Sequence, residues 1–286
     1  ELVELLALCS ILPGPTSSQT IVAVGYQVGG PWLGLLTMLV WGAPVMLVMG
    51  ALSFLFVAFS HFDISSEFLN YIGPMAVGFV LYAAIKINKK VSQGFSSNCL
   101  TFLSLILTYL IRDPWVFPLI LVMGGWTSIY LSKEKEIWNK VKISPPWVYF
   151  HIFLMFAFVG LGASYLFESQ LLKLFENFYR YGYLVFGGGQ VVVPVMHSEL
   201  VEVNQHMTDA EFLTGYGFVQ GLPGPMFSFA SYAGGLVARN GSTSHQILGS
   251  LLAGIGIFLP GLLLIYFIYP VWEQVKSIRA IKISLK

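Results

Sequence analysis

Residues 1–29 read ELVELLALCSILPGPTSSQTIVAVGYQVG, and residues 211–237 read EFLTGYGFVQGLPGPMFSFASYAGGLV. Laid over each other with an offset of 210, they share eight identities in 25 positions. Glu1 meets Glu211, Leu12-Pro13-Gly14-Pro15 meets Leu222-Pro223-Gly224-Pro225, Ser18 meets Ser228, Ala23 meets Ala233 and Gly25 meets Gly235. Further on, Leu33-Gly34 matches Leu248-Gly249 and Pro44 matches Pro260, with a slightly longer loop in the second copy. Proline spacing is hard to match by shared hydrophobicity alone, so this is read as an internal repeat.

Composition says where such a chain lives. Of its 286 residues 56% are hydrophobic and 10% charged, and the mean hydropathy is +0.75. Soluble domains carry about 25% charged residues. So few charges cannot cover a water-soluble fold of this size, but lipid can. The formal net charge is +1, which offers no basic field to a nucleic acid. Cys9 and Cys99 are the only cysteines and both lie in apolar stretches. They form no disulfide framework and no metal-ligand spacing.

A membrane helix needs about 20 apolar residues. Residues 32–59, 68–87, 147–167 and 246–270 each supply one. Residues 99–131 are apolar but interrupted by Arg112-Asp113-Pro114, which reads as the turn of a hairpin of two short helices. The longest soluble stretches are 133–146 and 168–181, too short for a catalytic domain, so no enzyme, catalytic residue or cofactor is expected. The expected fold is an all-α integral membrane protein, a polytopic helical bundle in which two homologous halves carry helices broken at the PGP motifs. Residues 1–131 form the first half, 132–146 a cytoplasmic linker and 147–286 the second half.

Charge orients the spans. Cytoplasmic loops collect Lys and Arg. Lys86, Lys89 and Lys90 follow one span, and Lys133, Lys135, Lys140 and Lys142 follow the hairpin, so both clusters are placed inside. The tail with Lys276, Arg279, Lys282 and Lys286 also falls inside. Span 32–59 then runs outward and span 246–270 inward, which makes the halves inverted. Inverted repeats with broken helices characterise secondary transporters, whose sites lie near the bilayer midplane.

Proline cannot donate a backbone hydrogen bond and glycine is conformationally permissive, so Pro-Gly-Pro stops one helix and starts another. Pro15 and Pro225 fit the first turn of the new half-helix. Its N-terminus has free N–H groups and a partial positive charge. Thr16, Ser17, Ser18 and Gln19 follow in the first copy, and Ser228 and Ser231 in the second. Oriented N–H groups with hydroxyl donors suit a small anion. The competing reading is a packing kink. A second glycine site, Phe186-Gly187-Gly188-Gly189 followed by Gln190, would let backbone approach a ligand or a neighbouring helix.

FGGGQVVVPVM at 186–196, followed by EFLTGYGFVQGLPGP at 211–225, resembles the second half of a chromate ion transporter, and ALCSILPGPTSSQ at 7–19 resembles the first. The resemblance covers nearly the whole chain. It implies a two-halved carrier that exports or exchanges chromate, a sulfate-like dianion, in the plasma (inner) membrane. The substrate site it implies takes in Pro13 to Gln19, Phe186 to Gln190, Gln220, Pro223, Gly224, Pro225 and Ser228. The resemblance implies an FGG helix ahead of Glu1 and a counterpart of 68–87 after the last residue given, so the sequence is expected to be a fragment of a longer protein. Where the family's first copy carries Gln, this sequence has Ser10, while the second copy keeps Gln220. Expected partners are a small inorganic anion (chromate or sulfate) and the lipid bilayer, with a homodimer left open. A carrier or channel for another small solute or cation, sharing only the fold, is the alternative.

Ionisable groups inside membrane segments are functional suspects. Glu199, Glu202, Asp209 and Glu211 cluster with His197 and His206 between the FGGG and LPGP motifs. Glu199, Glu211 and His197 are the proton-coupling candidates. A solvated interfacial loop is the competing reading, and an acid at position 211 also suits a helix N-terminus. His151, inside an apolar span, reads as a packing residue.

Overall fold

The computed structural model describes residues 2–60, 95–111, 144–167, 169–184 and 189–275, with isolated positions at 78, 82, 85, 123 and 126. The span 68–87 apart from those isolated positions, the Arg112-Asp113-Pro114 turn, residues 132–143 of the linker 132–146, the lysine clusters and the charged tail lie outside the described residues. The elements in chain order are α1 (Leu2–Ile11), α2 (Thr16–Ser60), α3 (Phe95–Ile111), α4 (Trp147–Leu166), α5 (Gln170–Leu184) and α6 (Gly189–His197). A π-helical turn (Ser198–Val203), α7 (Asp209–Gly221), a 3-10 turn (Met226–Ser228), α8 (Phe229–Val237) and α9 (Thr243–Val275) follow.

Helices α2, α4 and α9 are long and apolar enough to cross a membrane. With the composition above, this defines an integral membrane protein. Helix α4 has no buried residue along its length, and Val148, Phe158, Val159 and Leu166 stand exposed on it. Such a surface would be insoluble in water but is ordinary against acyl chains.

Helix α2 is not one rod. At Gly29 and Gly30 the backbone leaves helical geometry, with Gly30 at φ 69°. The chain reverses there: Thr37 Oγ1 lies 3.5 Å from Ile21 O, and a Cβ on Gly34 would stand 3.2 Å from Val22 O. Residues 16–28 are thus a short arm folded back on the long arm 31–60. Helix α8 likewise turns through 238–242 into α9.

The two long helices pack antiparallel. A Cβ on Gly34 would stand 3.1 Å from Tyr266 Cε1, one on Gly254 would meet Met46 Cε, and one on Gly50 would stand 2.6 Å from Ser250 Oγ. Residue numbers fall on α9 as they rise on α2. Small residues at the contacts let the backbones approach, as membrane interfaces favour. Helix α5 lies against α9: Gly182 faces Ile257 O, with Pro260 Cγ 2.6 Å from where its Cβ would be.

The stretch 168–181, expected as a soluble segment, is mostly this helix. Leu174, Glu176, Phe178, Tyr179, Tyr181 and Gly182 are buried on it. Its charges are spaced so that one helical face stays apolar, which an average over the stretch conceals.

Gly182→Ala is expected to lower the unfolding temperature of the purified protein in detergent, costing about 1–3 kcal/mol through overpacking against Ile257. Gly162→Ala on α4, where nothing lies within 4 Å, should be neutral or stabilising by up to about 1 kcal/mol. Equal effects would contradict the α5–α9 contact.

Candidate functional site

Both LPGP segments interrupt helix. Helix α1 ends at Ile11, residues 12–14 bend, and α2 starts at Thr16; α7 ends at Gly221, residues 222–224 bend, and the 3-10 turn starts at Met226. The interruption also turns the chain back. Gly215 of α7 faces the Tyr232 ring of α8, Tyr232 OH donates to Glu211 O at 3.1 Å, and Arg239 pairs with Glu211. In the first half the Cys9 thiol of α1 meets Thr20 of α2. Each LPGP is therefore the tip of a helical hairpin. Glycine serves the tips: Gly14 has φ 119° and Gly224 φ 158°, backbone that side chains rarely adopt.

The tips reach the same level of the long-helix pair. Pro15 Cδ would lie 3.0 Å from a Cβ on Gly261 of α9, and Pro225 Cγ 4.0 Å from one on Gly42 of α2, while Gly224 faces Val45. On the antiparallel register Gly261 stands opposite residue 39. The two tips are therefore about 5–9 Å apart along the axis, near the middle of both helices.

At these tips polar groups are buried without partners. Ser18 and Gln19 are 1% exposed, Ser228 0% and Ser231 1%. Ser18 Oγ, Gln19 Oε1, Ser228 Oγ and Ser231 Oγ have no hydrogen-bond partner among the described residues. The first backbone bonds into the second arms are Gln19 N to Pro15 O at 2.8 Å and Ser228 N to Pro225 O at 3.0 Å. The preceding N–H groups, on Thr16, Ser17 and Ser18 and on Met226 and Phe227, have no intrahelical acceptor. Gln19 Nε2 donates to Pro13 O at 2.7 Å, closing the first tip on itself.

The remaining site residues divide. Thr16 is half-buried and Ser17 exposed. Gln220, at the second tip, donates to Tyr216 OH at 2.8 Å and approaches Met226 Sδ at 3.0 Å. Ser10, in the place of a glutamine, donates to Leu6 O within its own helix. Gly189 and Gln190 open α6; Phe186, Gly187 and Gly188 lie outside the described residues.

The acidic segment is organised by two arginines. Arg180 Nη1 donates to Glu199 Oε1 at 2.7 Å and Nη2 to Oε2 at 2.9 Å, a bidentate pair, while Tyr181 OH donates to Glu199 Oε2 at 2.8 Å. Arg180 also bonds Glu176 at 3.1 Å and Asn177 at 3.2 Å. Burial pushes the Glu199 carboxyl up, but the bonds from Arg180 and Tyr181 outweigh it and hold it below its ordinary value. Glu211 caps α7: Thr208 N donates to Glu211 Oε2 at 2.7 Å and Glu211 N to Thr208 Oγ1 at 3.2 Å. His197 Nε2 lies 2.7 Å from Asp209 Oδ1. Sequence reasoning passed over Arg180 and Arg239; an arginine inside the aromatic run Phe178-Tyr179-Arg180-Tyr181 was the available signal, since a cation there needs an acid.

These features define a polytopic helical membrane protein whose paired hairpin tips carry buried, unpartnered polar groups. The chain belongs to the chromate transporter family, whose model matches residues 1–129 and 172–286. It is 25% identical over 287 residues to a chromate transport protein of Cupriavidus metallidurans and 22% identical over 277 residues to an uncharacterized transporter of Methanocaldococcus jannaschii. These alignments take in 97% and 94% of this chain and 66% of each relative. A probable chromate transport protein of Synechococcus elongatus is 34% identical over 96 residues, 34% of this chain and 23% of that protein. No solved structure matches the chain.

A lowered carboxyl value adds stability above its ordinary value, and that contribution disappears as pH falls through the depressed value. Glu199→Gln should therefore unfold more easily than the parent at neutral pH, by about 1–3 kcal/mol. Its unfolding temperature should fall less steeply on acidification. Parallel pH curves for the two proteins would contradict the Arg180–Glu199 pair.

Proposed function

We propose that the protein is a secondary transporter of a small tetrahedral oxyanion, chromate or a sulfate-like anion, held where the two LPGP tips meet and moved by alternating access. The observation carrying this reading is the set of buried, unpartnered groups at both tips: Ser18, Gln19, Ser228 and Ser231. Burying a polar group without a partner costs about 1–3 kcal/mol. Tips at membrane depth tolerate that only where a ligand or a wet cavity satisfies them. The start of each second arm adds N–H groups and the positive end of a helix dipole, a combination that suits an anion.

Several observations support two inverted halves, 1–131 and 147–286 around a linker at 132–146. The family match falls in two blocks, one in each half. Each half has a hairpin followed by a long helix, and the long helices are antiparallel. The tips pack reciprocally, Pro15 on α9 and Pro225 on α2. Relatives named as chromate transport proteins favour an oxyanion over another solute. The plasma membrane is the proposed location, and a homodimer is compatible with the exposed apolar surface of α4.

Of the proton-coupling candidates, Glu199 and Glu211 are committed to arginines. His197 is the remaining candidate, its Nε2 2.7 Å from Asp209 Oδ1 and not against an arginine. We assign Phe186 to Gln190 a ligand-approaching role on the resemblance alone.

Gly14→Leu and Gly224→Leu, each tested in the full-length protein, should abolish radiolabelled chromate and sulfate flux into proteoliposomes while the protein still inserts. Each places a side chain at a positive φ and crowds a tip, Gly14 against Gln19 and Gly224 against Val45. Normal flux in both would remove the tips as the site.

A further inference from the structure

We propose that the two hairpins have different jobs: the first, residues 2–28, is the moving gate of the carrier and swings at Gly29–Gly30, while the second, residues 209–237, is fixed to the long helices. This rests on the transporter reading above and specifies which part of the chain carries the movement.

The second hairpin is pinned at its outer end and along its length. Arg239 pairs with Glu211, Tyr232 OH donates to Glu211 O at 3.1 Å, and Gln170 Nε2 of α5 donates to Val237 O at 2.9 Å. All nine residues of α8 are buried. Gly234 faces Gly249 O of α9 and Gly235 faces Ser53 of α2, so this arm is enclosed between the two long helices. Its joint to α9 is closed by backbone bonds, Arg239 N to Leu236 O and Gly241 N to Ala238 O, both at 3.2 Å. Pulling Arg239 from Glu211 would strand two part-buried charges, which is strongly unfavourable.

The sequence withholds that tie from the first hairpin. With the offset of 210, Gly29 stands where Arg239 does and Val22 where Tyr232 does, and residues 2–28 contain no Lys, Arg or His. The joint is made of Gly29 at φ −148°, ψ 25° and Gly30 at φ 69°, ψ −163°, the second a conformation open to glycine. A Cβ on Gly30 would have nothing within 4 Å. Beyond the joint the chain is anchored: Tyr266 OH donates to Pro31 O, and Gly34 packs on the Tyr266 ring. Before it, Ser17, Val24, Gln27 and Val28 are exposed. Tyr26 meets α9 through its ring, 5.3 Å from that of Tyr266 and 5.4 Å from that of Tyr269. Parting those rings strands no charge. A hinge is a few residues at an element's end that absorb a change in φ and ψ. Gly29–Gly30 stands in that position, between an exposed arm and an anchored one. Swinging residues 2–28 there lifts Pro15 off Gly261, while Pro225 stays against α2.

The test fixes each part in place, using the full-length protein in proteoliposomes. A Cβ on Gly25 would stand 2.8 Å from Thr37 Cγ2, and one on Gly50 3.7 Å from Ser250 Cβ. Each pair lies within reach of a disulfide, which takes Cβ atoms about 3.5–4.5 Å apart. Gly25→Cys with Thr37→Cys bridges the short arm of α2 to its long arm, and Gly50→Cys with Ser250→Cys bridges the two long helices. Radiolabelled chromate and sulfate flux is read before oxidation, after it, and after reduction with the reductant removed, beside the parent treated alike. Oxidising the first pair should slow flux at least about tenfold, and reduction should restore it, because the swing gates each turnover. Oxidising the second pair should leave flux unchanged. Flux that survives the first bridge, or that is lost through the second as through the first, overturns the proposal and leaves the transporter reading intact. Should the cysteine variants fail to insert, hydrogen exchange of the unmodified protein decides. Added chromate should change exchange at 16–30 and leave 229–242 as it was; no change at 16–30, or an equal one at 229–242, overturns the proposal. No saturable flux of either anion by the folded parent overturns the transporter reading itself.

Discussion

A helix that stops inside a membrane leaves backbone N–H and C=O groups that lipid cannot satisfy. Two LPGP segments impose that problem twice, and the architecture around them is arranged to contain it. Each tip is covered by a long helix, at a residue small enough for proline to approach: Gly261 of α9 over Pro15 and Gly42 of α2 near Pro225. Gln19 caps Pro13 O at the first tip. What protein leaves unsatisfied at the tips is a short set of donors and one acceptor. Four of the buried polar atoms without a partner among the described residues, on Ser18, Gln19, Ser228 and Ser231, belong to the tips and the arms that leave them; Trp41 Nε1 and Gln246 Nε2, on the long helices, are the others.

The hairpin geometry sharpens the electrostatics. The second arms start at the tips and aim N–H groups there, while α1 and α7 end there and aim carbonyls. A tip is therefore a mixed donor and acceptor surface, not a purely positive one. Away from the tips, the Arg239–Glu211 pair ties the outer ends of the α7–α8 hairpin together, and the Arg180–Glu199 pair ties α5 to the π-helical turn. Charges are held at these joints in pairs, leaving the tips to dipoles.

Much of this was legible in the sequence. Span 147–167 is α4, span 32–59 is the long arm of α2, and span 246–270 lies inside α9, because unbroken apolar runs have few alternatives. Residues 12–14 and 222–224, in the two LPGP segments, bend between helices, as does the chain at Gly29–Gly30 and 238–242. That they turn the chain back was not legible, since proline and glycine report a local break and reversal depends on contacts such as Gly215 with Tyr232. Helix α5 was read as a soluble stretch because its charges hide a buried face. Glu211 was read both as a coupling acid and as a capping residue, and the structure places it in a capping box with Thr208. The unpartnered state of Gln19 Oε1 and the hydroxyls is a property of packing, which no motif encodes.

An experimental structure of the full-length protein in lipid, with chromate bound and chromium located by its anomalous scattering, tests the account most directly. The account predicts a single chromium peak between the two LPGP tips, within hydrogen-bonding reach of Ser18 and Gln19 on one side and Ser228 on the other. A peak elsewhere in the bundle, in protein shown to transport chromate, would contradict it.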